Sequence, residues 1–401
     1  MILTLPLKAT KRIDLIKPLS TWVETSHPQF KADQVTEQIK RLNSIRVDIA
    51  KACTSPTSHA FTLKNNVLAD LMEYHACLIE CINYGFPSGS RDAEVNGTLD
   101  AHLSFYWKNA FVEYDGNDEG QCSQRGTSHF DFERASVLWN IAALYSYQAA
   151  KEDWTSKEGR INAKTHYTLA AKIIRHIQDM LKSEKDPDLI PDMYTSCLTM
   201  CHEMLLMQGQ IAAYEALKVK LAEPGATTST FTLLTKISSG VALHADKALE
   251  ASQDLQIKEY KSTDAWGGHF KVLSMLYKAR AEFLQSQVER RENNVGLEIA
   301  RLERTIQMAV DGKEFMKSVG FVKMTEGPDC LGKIDTNLQA IVVNAKQRFK
   351  ILVNENNSIY HEKVPDSKKL PKIQPKDLME FNEKDISLPV EFTQLKRPLF
   401  S

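Results

Sequence analysis

From Phe132 to about residue 354 the chain repeats one pattern: apolar residues return every three or four positions, in stretch after stretch, with nothing resembling a linker between them. FERASVLWNIAALYSYQAAKE sets Val137, Leu138, Ile141, Ala142, Leu144 and Tyr145 on one broad face. GRINAKTHYTLAAKIIRHIQDMLK does the same with Ala163, Tyr167, Ala170, Ala171, Ile174, Ile177 and Leu181. Further helices are expected at about 193–221, 231–258, 266–293, 295–319 and 334–354, with breaks at Pro187, Pro191, Pro224 and Pro328. A chain of this kind can bury its stripes only by laying helix on helix. The fold class expected is mainly α.

Before this block the pattern is mixed. Ile2, Leu3, Leu5 and Leu7 alternate around Pro6, which reads as a short edge strand. Val35, Ile39, Leu42, Ile45 and Ile49 then mark a helix, and a second, ending at Gly85, Phe86 and Pro87, follows it. LSFYWKNAF at 103–111 could be a strand or a first helical turn, and 112–129 is an acidic, glycine-bearing polar loop. The small residues Ala170 and Ala171 allow close helix approach, in the manner of tetratricopeptide hairpins, although no strict 34-residue period is present. The last residues, about 356–401, contain five prolines within 365–398 and are expected to wrap a helical surface in extended form, anchored by Leu370, Ile373 and Leu378. The whole of 1–401 is expected to be one domain: 1–130, a core at 130–355, and the wrap.

Lysine and arginine number 50 and aspartate and glutamate 51, a balance that carries no footprint for nucleic acid. Seven scattered cysteines argue against a disulfide framework and for a reducing compartment. MILTLPLKATKRIDL does not read as a signal peptide, and no window offers ~18 uninterrupted apolar residues for a membrane span. A soluble cytoplasmic protein is expected, and any attraction to membranes must come from a local patch.

Motifs for catalysis are missing. There is no Walker A sequence, no GxGxxG before a helix and no GxSxG elbow. His202 and Glu203 in HEMLL lack the second histidine of a zinc helix. Cys77 with Cys81, and Cys197 with Cys201, share helix faces, but a buried cysteine is a small hydrophobe and core packing is the simpler reading. The charged run Glu289, Arg290, Arg291, Glu292, then Glu298, Arg301, Glu303, Arg304, reads as solvated helix surface. Neither enzyme chemistry nor a cofactor or metal is expected.

Several segments together resemble the BRO domain family of Alix-like adaptors: FDFERASVLWNIAALYSYQAA (130–150), EGRINAKTHYTLAAKII (158–174), LMQGQIAAYEAL (206–217), GLEIARLERT (296–305) and NENNSIYHEKVP (354–365). They occur in the family's order along nearly the whole chain. The resemblance implies a bent, banana-shaped domain with a tetratricopeptide-like core and a small amino-terminal β-sheet, and a non-enzymatic adaptor recruited to endosomal or other membranes. It implies an apolar patch that receives the amphipathic carboxy-terminal helix of an ESCRT-III subunit. Relatives of the same fold also serve as small-GTPase-binding scaffolds and pH-signalling adaptors, which nothing in the sequence separates.

Carried onto FTLLTKISSGVAL, the resemblance implies that Leu233 and Ile237 contact the partner helix while Lys236 meets an acidic side chain. The family's bulky aromatic on the preceding helix corresponds to Ala213, with Tyr214 beside it, and two charged patch positions correspond to Lys157 and Ile161. Tyr360 stands where relatives carry a surface tyrosine that can be phosphorylated, and Tyr114 is the one aromatic of the 112–129 loop, whose acidity argues against the membrane insertion seen in some relatives. Independently, Lys346, Arg348 and Lys350 cluster on one helix and could face an anionic membrane.

Overall fold

A computed structural model describes residues 3–26, 32–53, 67–86, 103–111, 125–127, 130–182, 190–221, 226–254, 261–318, 330–379 and 388–395. The polar loop, Tyr114 included, lies outside them apart from 125–127. The helices are α1 (Ile16–Ser26), α2 (Ala32–Ala52), α3 (Val67–Asn83), α4 (Phe130–Lys151), α5 (Lys157–Leu181), α6 (Thr195–Lys218), α7 (Thr228–Ser252), α8 (Lys261–Arg291), α9 (Val295–Ser318), α10 (Cys330–Glu355) and a single turn, α11 (Val390–Thr393). The predicted periodicities fall on helices throughout. The chain sorts into two compact units that interleave in sequence: Met1–Thr4, Gln148–Thr168 and Met200–Glu380 in one, and Leu5–Tyr147, Leu169–Thr199 and Phe381–Ser401 in the other.

In the second of these units, strand β1 (Phe105–Trp107) pairs antiparallel with β2 (Arg125–Thr127), and Thr10 makes a lone bridge to Trp107. LSFYWKNAF is thus partly strand. The expected amino-terminal strand does not form over 3–9. Side chains of α4 satisfy its backbone instead. Leu5 N–H donates to Ser146 Oγ at 2.9 Å, and Lys8 N–H to Asn140 Oδ1 at 2.7 Å. Asn140 Nδ2 returns a bond to Lys8 O at 3.0 Å, and Trp139 Nε1 donates to Pro6 O at 2.8 Å. Backbone groups paired this way need no ladder.

Below the ribbon lies a buried polar knot. Glu133 accepts from Arg46 Nε at 2.7 Å, from Tyr74 Oη at 3.1 Å and from Trp107 Nε1 at 2.5 Å, and Arg46 also lies over the Trp107 ring. Lys8 and Asp192 form a second fully buried pair. Cys53, Cys77, Cys81 and Cys197 pack as free thiols in this interior, and burial pushes Cys53 and Cys77 up to about 12.

The other unit stacks α7 on α8, α8 on α9 and α9 on α10. Val295, Ile299 and Leu302 of α9 meet Ala345 and Leu352 of α10 in its core. Part of the charged run expected on the surface is internal. Glu289, Glu298 and Arg301 are buried, because Arg301 Nη1 reaches Glu282 at 2.9 Å and Arg348 clamps Glu298 at 2.9 and 3.3 Å. Charges at helical spacing can face a neighbouring helix when a partner waits there.

Residues 362–379 follow α10 and its π-turn without helix or strand, apart from a short turn at Ser367–Lys369. Leu370 is buried, Ile373 and Leu378 are half-buried, and Met379 is seated deepest.

A candidate partner-helix surface on α7

Helix α7 begins where the threonine-rich run places a cap: Thr227 is extended and its hydroxyl accepts from Thr230 N–H. One turn later Phe231 packs beneath the Arg291 guanidinium, 3.8 Å from its ring centroid. The inner stripe of α7, from Leu234 through Ile237, Val241 and Ala245 to Ala248, is buried. The opposite side presents Leu233, half-buried, then Lys236, exposed, then the half-buried Ser239 and Leu243 and the exposed Lys247.

The residues carried over from the family divide here. Leu233 and Lys236 reach the surface, while Ile237 is 0 % exposed and belongs to the core, so it cannot meet a partner directly in this arrangement. Ala213 and Tyr214 on α6 are buried too, at 8 % and 4 %. Tyr214 packs edge-on against Tyr277, with Arg280 lying 5.7 and 4.8 Å from the two ring centroids. That cluster supports α7 from beneath. Lys157 and Ile161 are exposed on the first turns of α5, Ile161 by 51 %.

Residues that sequence reading missed hold the wrap against this surface. Gln210 of α6 grips one turn of the extended chain at both ends: Nε2 donates to Lys376 O at 2.6 Å, and Oε1 accepts from Leu378 N–H at 2.9 Å. Lys376 N–H donates to Lys236 O at 2.9 Å, and Ser239 Oγ to Ile373 O at 3.3 Å. His244 stands between Glu203 of α6 at 2.7 Å and Asp377 of the wrap at 3.1 Å. Burial acts to lower the His244 pKa, but the two carboxylates prevail and raise it to about 9. The imidazole is therefore a cation at neutral pH. Gln210 was the available signal, since a glutamine inside an apolar helix is costly to bury without partners.

The expected membrane-facing cluster is also split. Lys346 and Lys350 are exposed and carry no ion pair among the described residues, with Val343 and Ile351 exposed beside them. Arg348 is committed to Glu298 and Glu355 and does not face outward as a free charge. Tyr360 is 50 % exposed at the end of a π-helical turn, Asn356–Tyr360, which closes on His361 in the left-handed region at φ 54°.

Residues 2–401 match the model of the BRO1-like domain. The chain belongs to the BRO1-like domain family. It is 26 % identical over 376 residues to apoptosis-linked gene 2-interacting protein X 1 of Caenorhabditis elegans, covering 92 % of this chain and 37 % of that protein. It is 25 % identical to human programmed cell death 6-interacting protein, over 98 % of this chain and 40 % of the relative, and 23 % identical to Arabidopsis thaliana vacuolar-sorting protein BRO1, over 92 % and 39 %. The BRO1-like chain thus spans about two fifths of these relatives. Among solved structures, one described as "ALIX BRO1 CHMP4C complex" aligns over 100 % of this chain and 99 % of its own, with a TM-score of 0.73 at 21 % identity. Another, "Structure basis for endosomal targeting by the Bro1 domain", aligns with a TM-score of 0.71 at 17 % identity. These likenesses establish the fold.

Proposed function

We propose that this BRO1-like domain is a non-enzymatic adaptor in endosomal sorting or membrane remodelling. On this reading it binds the amphipathic carboxy-terminal helix of an ESCRT-III subunit on the outer side of α7, around Leu233 and Lys236. The observation that carries it is the end-to-end likeness to a BRO1 domain solved in complex with CHMP4C. Leu233 would be the apolar anchor and Lys236 the charge that fixes register, a helix-on-helix mode in which few residues dominate the energy.

Titration calorimetry with synthetic carboxy-terminal helices from each ESCRT-III subunit tests this. At least one should bind, and Leu233→Asp should weaken it about 10- to 100-fold, the value of one buried leucine side chain, while leaving thermal unfolding unchanged. Unaltered affinity in that variant would remove Leu233 from the site.

A second reading rests on a different observation, the exposed Lys346 and Lys350, without an ion pair among the described residues, beside the exposed Val343 and Ile351 on α10. Lysines near an anionic bilayer contribute about 1 kcal/mol each. The chain should then float with phosphatidylserine vesicles at low salt, and Lys346→Glu with Lys350→Glu should abolish flotation. Flotation that persists in the double variant excludes this face.

A further inference from the structure

The outward positions of α7 form one stripe: Leu233, Lys236, then Ser239 and Leu243, then Lys247. A helix laid along such a stripe takes anchors at i, i+3 or i+4, and i+7, so it needs roughly 10 Å of open surface at 1.5 Å per residue. Here the stripe is interrupted. The extended segment 371–379 crosses it at Lys236–Gly240, where Lys376 N–H bonds to Lys236 O and Ile373 O accepts from Ser239 Oγ. Beyond the crossing, Asp377 reaches His244. Only Leu233 and Lys236 remain on the near side.

The crossing is cut into the helices by glycine. A Cβ at Gly240 would stand 2.5 Å from Lys376 O, and one at Gly209 would collide with the Met379 side chain. No other residue allows the segment to lie this close. Its apolar attachment is concentrated at one end, where Met379 is buried against Gly209. Lys372, Gln374, Pro375 and Lys376 are exposed, and Ile373 is only half-buried. What holds the segment is a set of polar contacts through Arg301, Gln210, Lys236, Ser239 and the His244–Asp377 pair, with Met379 as the buried apolar anchor at its end. A segment whose buried apolar surface is confined to one end can open ahead of that anchor at a fraction of the global unfolding cost. Pro371 and Pro375 keep it extended when it is free, so little order is lost between the two states.

We infer that residues 371–379 are a displaceable strap across the partner-binding face of α7. Seated, the strap limits the face to Leu233 and Lys236; lifted, it frees the stripe through Leu243 and Lys247 for a longer partner helix. Asp377 with His244 is the lock, and Gly240 is the notch that admits the strap. This inference rests on the α7 docking reading above. It deepens that reading by making the footprint adjustable.

Hydrogen-exchange mass spectrometry of the full chain, paired with calorimetry against the same ESCRT-III tail peptides, tests it. Asp377→Asn removes the lock without changing shape, and Gly240→Val fills the notch without changing charge. In both variants exchange at residues 372–379 should rise at least tenfold while the inner stripe of α7 keeps its protection. Affinity for the tail peptide that binds the wild-type chain should rise about tenfold, and that peptide should speed strap exchange in the wild type. Faster strap exchange with unchanged peptide affinity would overturn the strap's role while the docking reading stands. So would strap exchange that neither variant alters. If no tail peptide binds the wild type or either variant, the docking reading falls and the strap inference with it.

Discussion

Leu233 and Ile237 stand four residues apart on α7, yet one is at the surface and the other is fully enclosed. Four residues advance a helix by about 40° more than one full turn, so such a pair shares a face only loosely. The edge of the buried stripe falls between them. Substitution should separate their roles. Ile237→Ala leaves a cavity beneath α7 and is expected to cost about 2–5 kcal/mol, read as a lower urea midpoint at constant m-value. Leu233→Asp should leave that midpoint within about 0.5 kcal/mol of wild type, as a substitution at the surface does. Equal losses of stability from both would mean that Leu233 too is core. Any binding defect measured for an Ile237 variant must accordingly be read against its folded fraction.

At the scale of elements, the helices were legible because burial imposes a period of 3.6 on every amphipathic segment, and Val295, Ile299 and Leu302 meet α10 as that period requires. The amino-terminal segment misled for a definable reason. Alternation around Pro6 indicates a strand, but does not say what satisfies its backbone. Asn140 and Ser146, more than 130 residues away, supply the bonds a neighbouring strand would have supplied. The same limit hid the strap. Gln210 meets Lys376 and Leu378 across more than 160 residues, and His244 meets Asp377 across a comparable gap, so no local pattern signals either contact. Charged residues at helical spacing were ambiguous in the same way. Glu298 and Arg301 follow a solvated pattern, yet both are buried because Arg348 and Glu282 lie opposite.

Over the whole molecule, buried histidines of opposite sense shape the dependence of stability on pH. His75 in α3 is held down to about 3, first by burial and then by Arg134 of α4, with His176 of α5 adding to it and the Phe392 carbonyl opposing. His269 in α8 is held down to about 4 by burial. Both stay neutral when folded but take up a proton when unfolded below about 6.5. Each therefore withdraws stability as pH falls from there, by roughly 1 kcal/mol per unit until its folded pKa is reached. His244 has the opposite sign. It lies between Glu203 of α6 and Asp377 of the strap, with Lys247 and His202 also approaching Glu203, and its pKa lies near 9. Its contribution is fully present below about 6.5 and is lost as pH rises through 9. Thermal unfolding followed across pH 5 to 9.5 should then give a maximum near pH 6.5, with the midpoint falling on both sides. His244→Gln should lower the maximum and flatten the alkaline arm between pH 7 and 9, leaving the acid arm in place. An alkaline arm unchanged in that variant would show that His244 is not charged in the folded chain, and would remove the electrostatic lock from the strap.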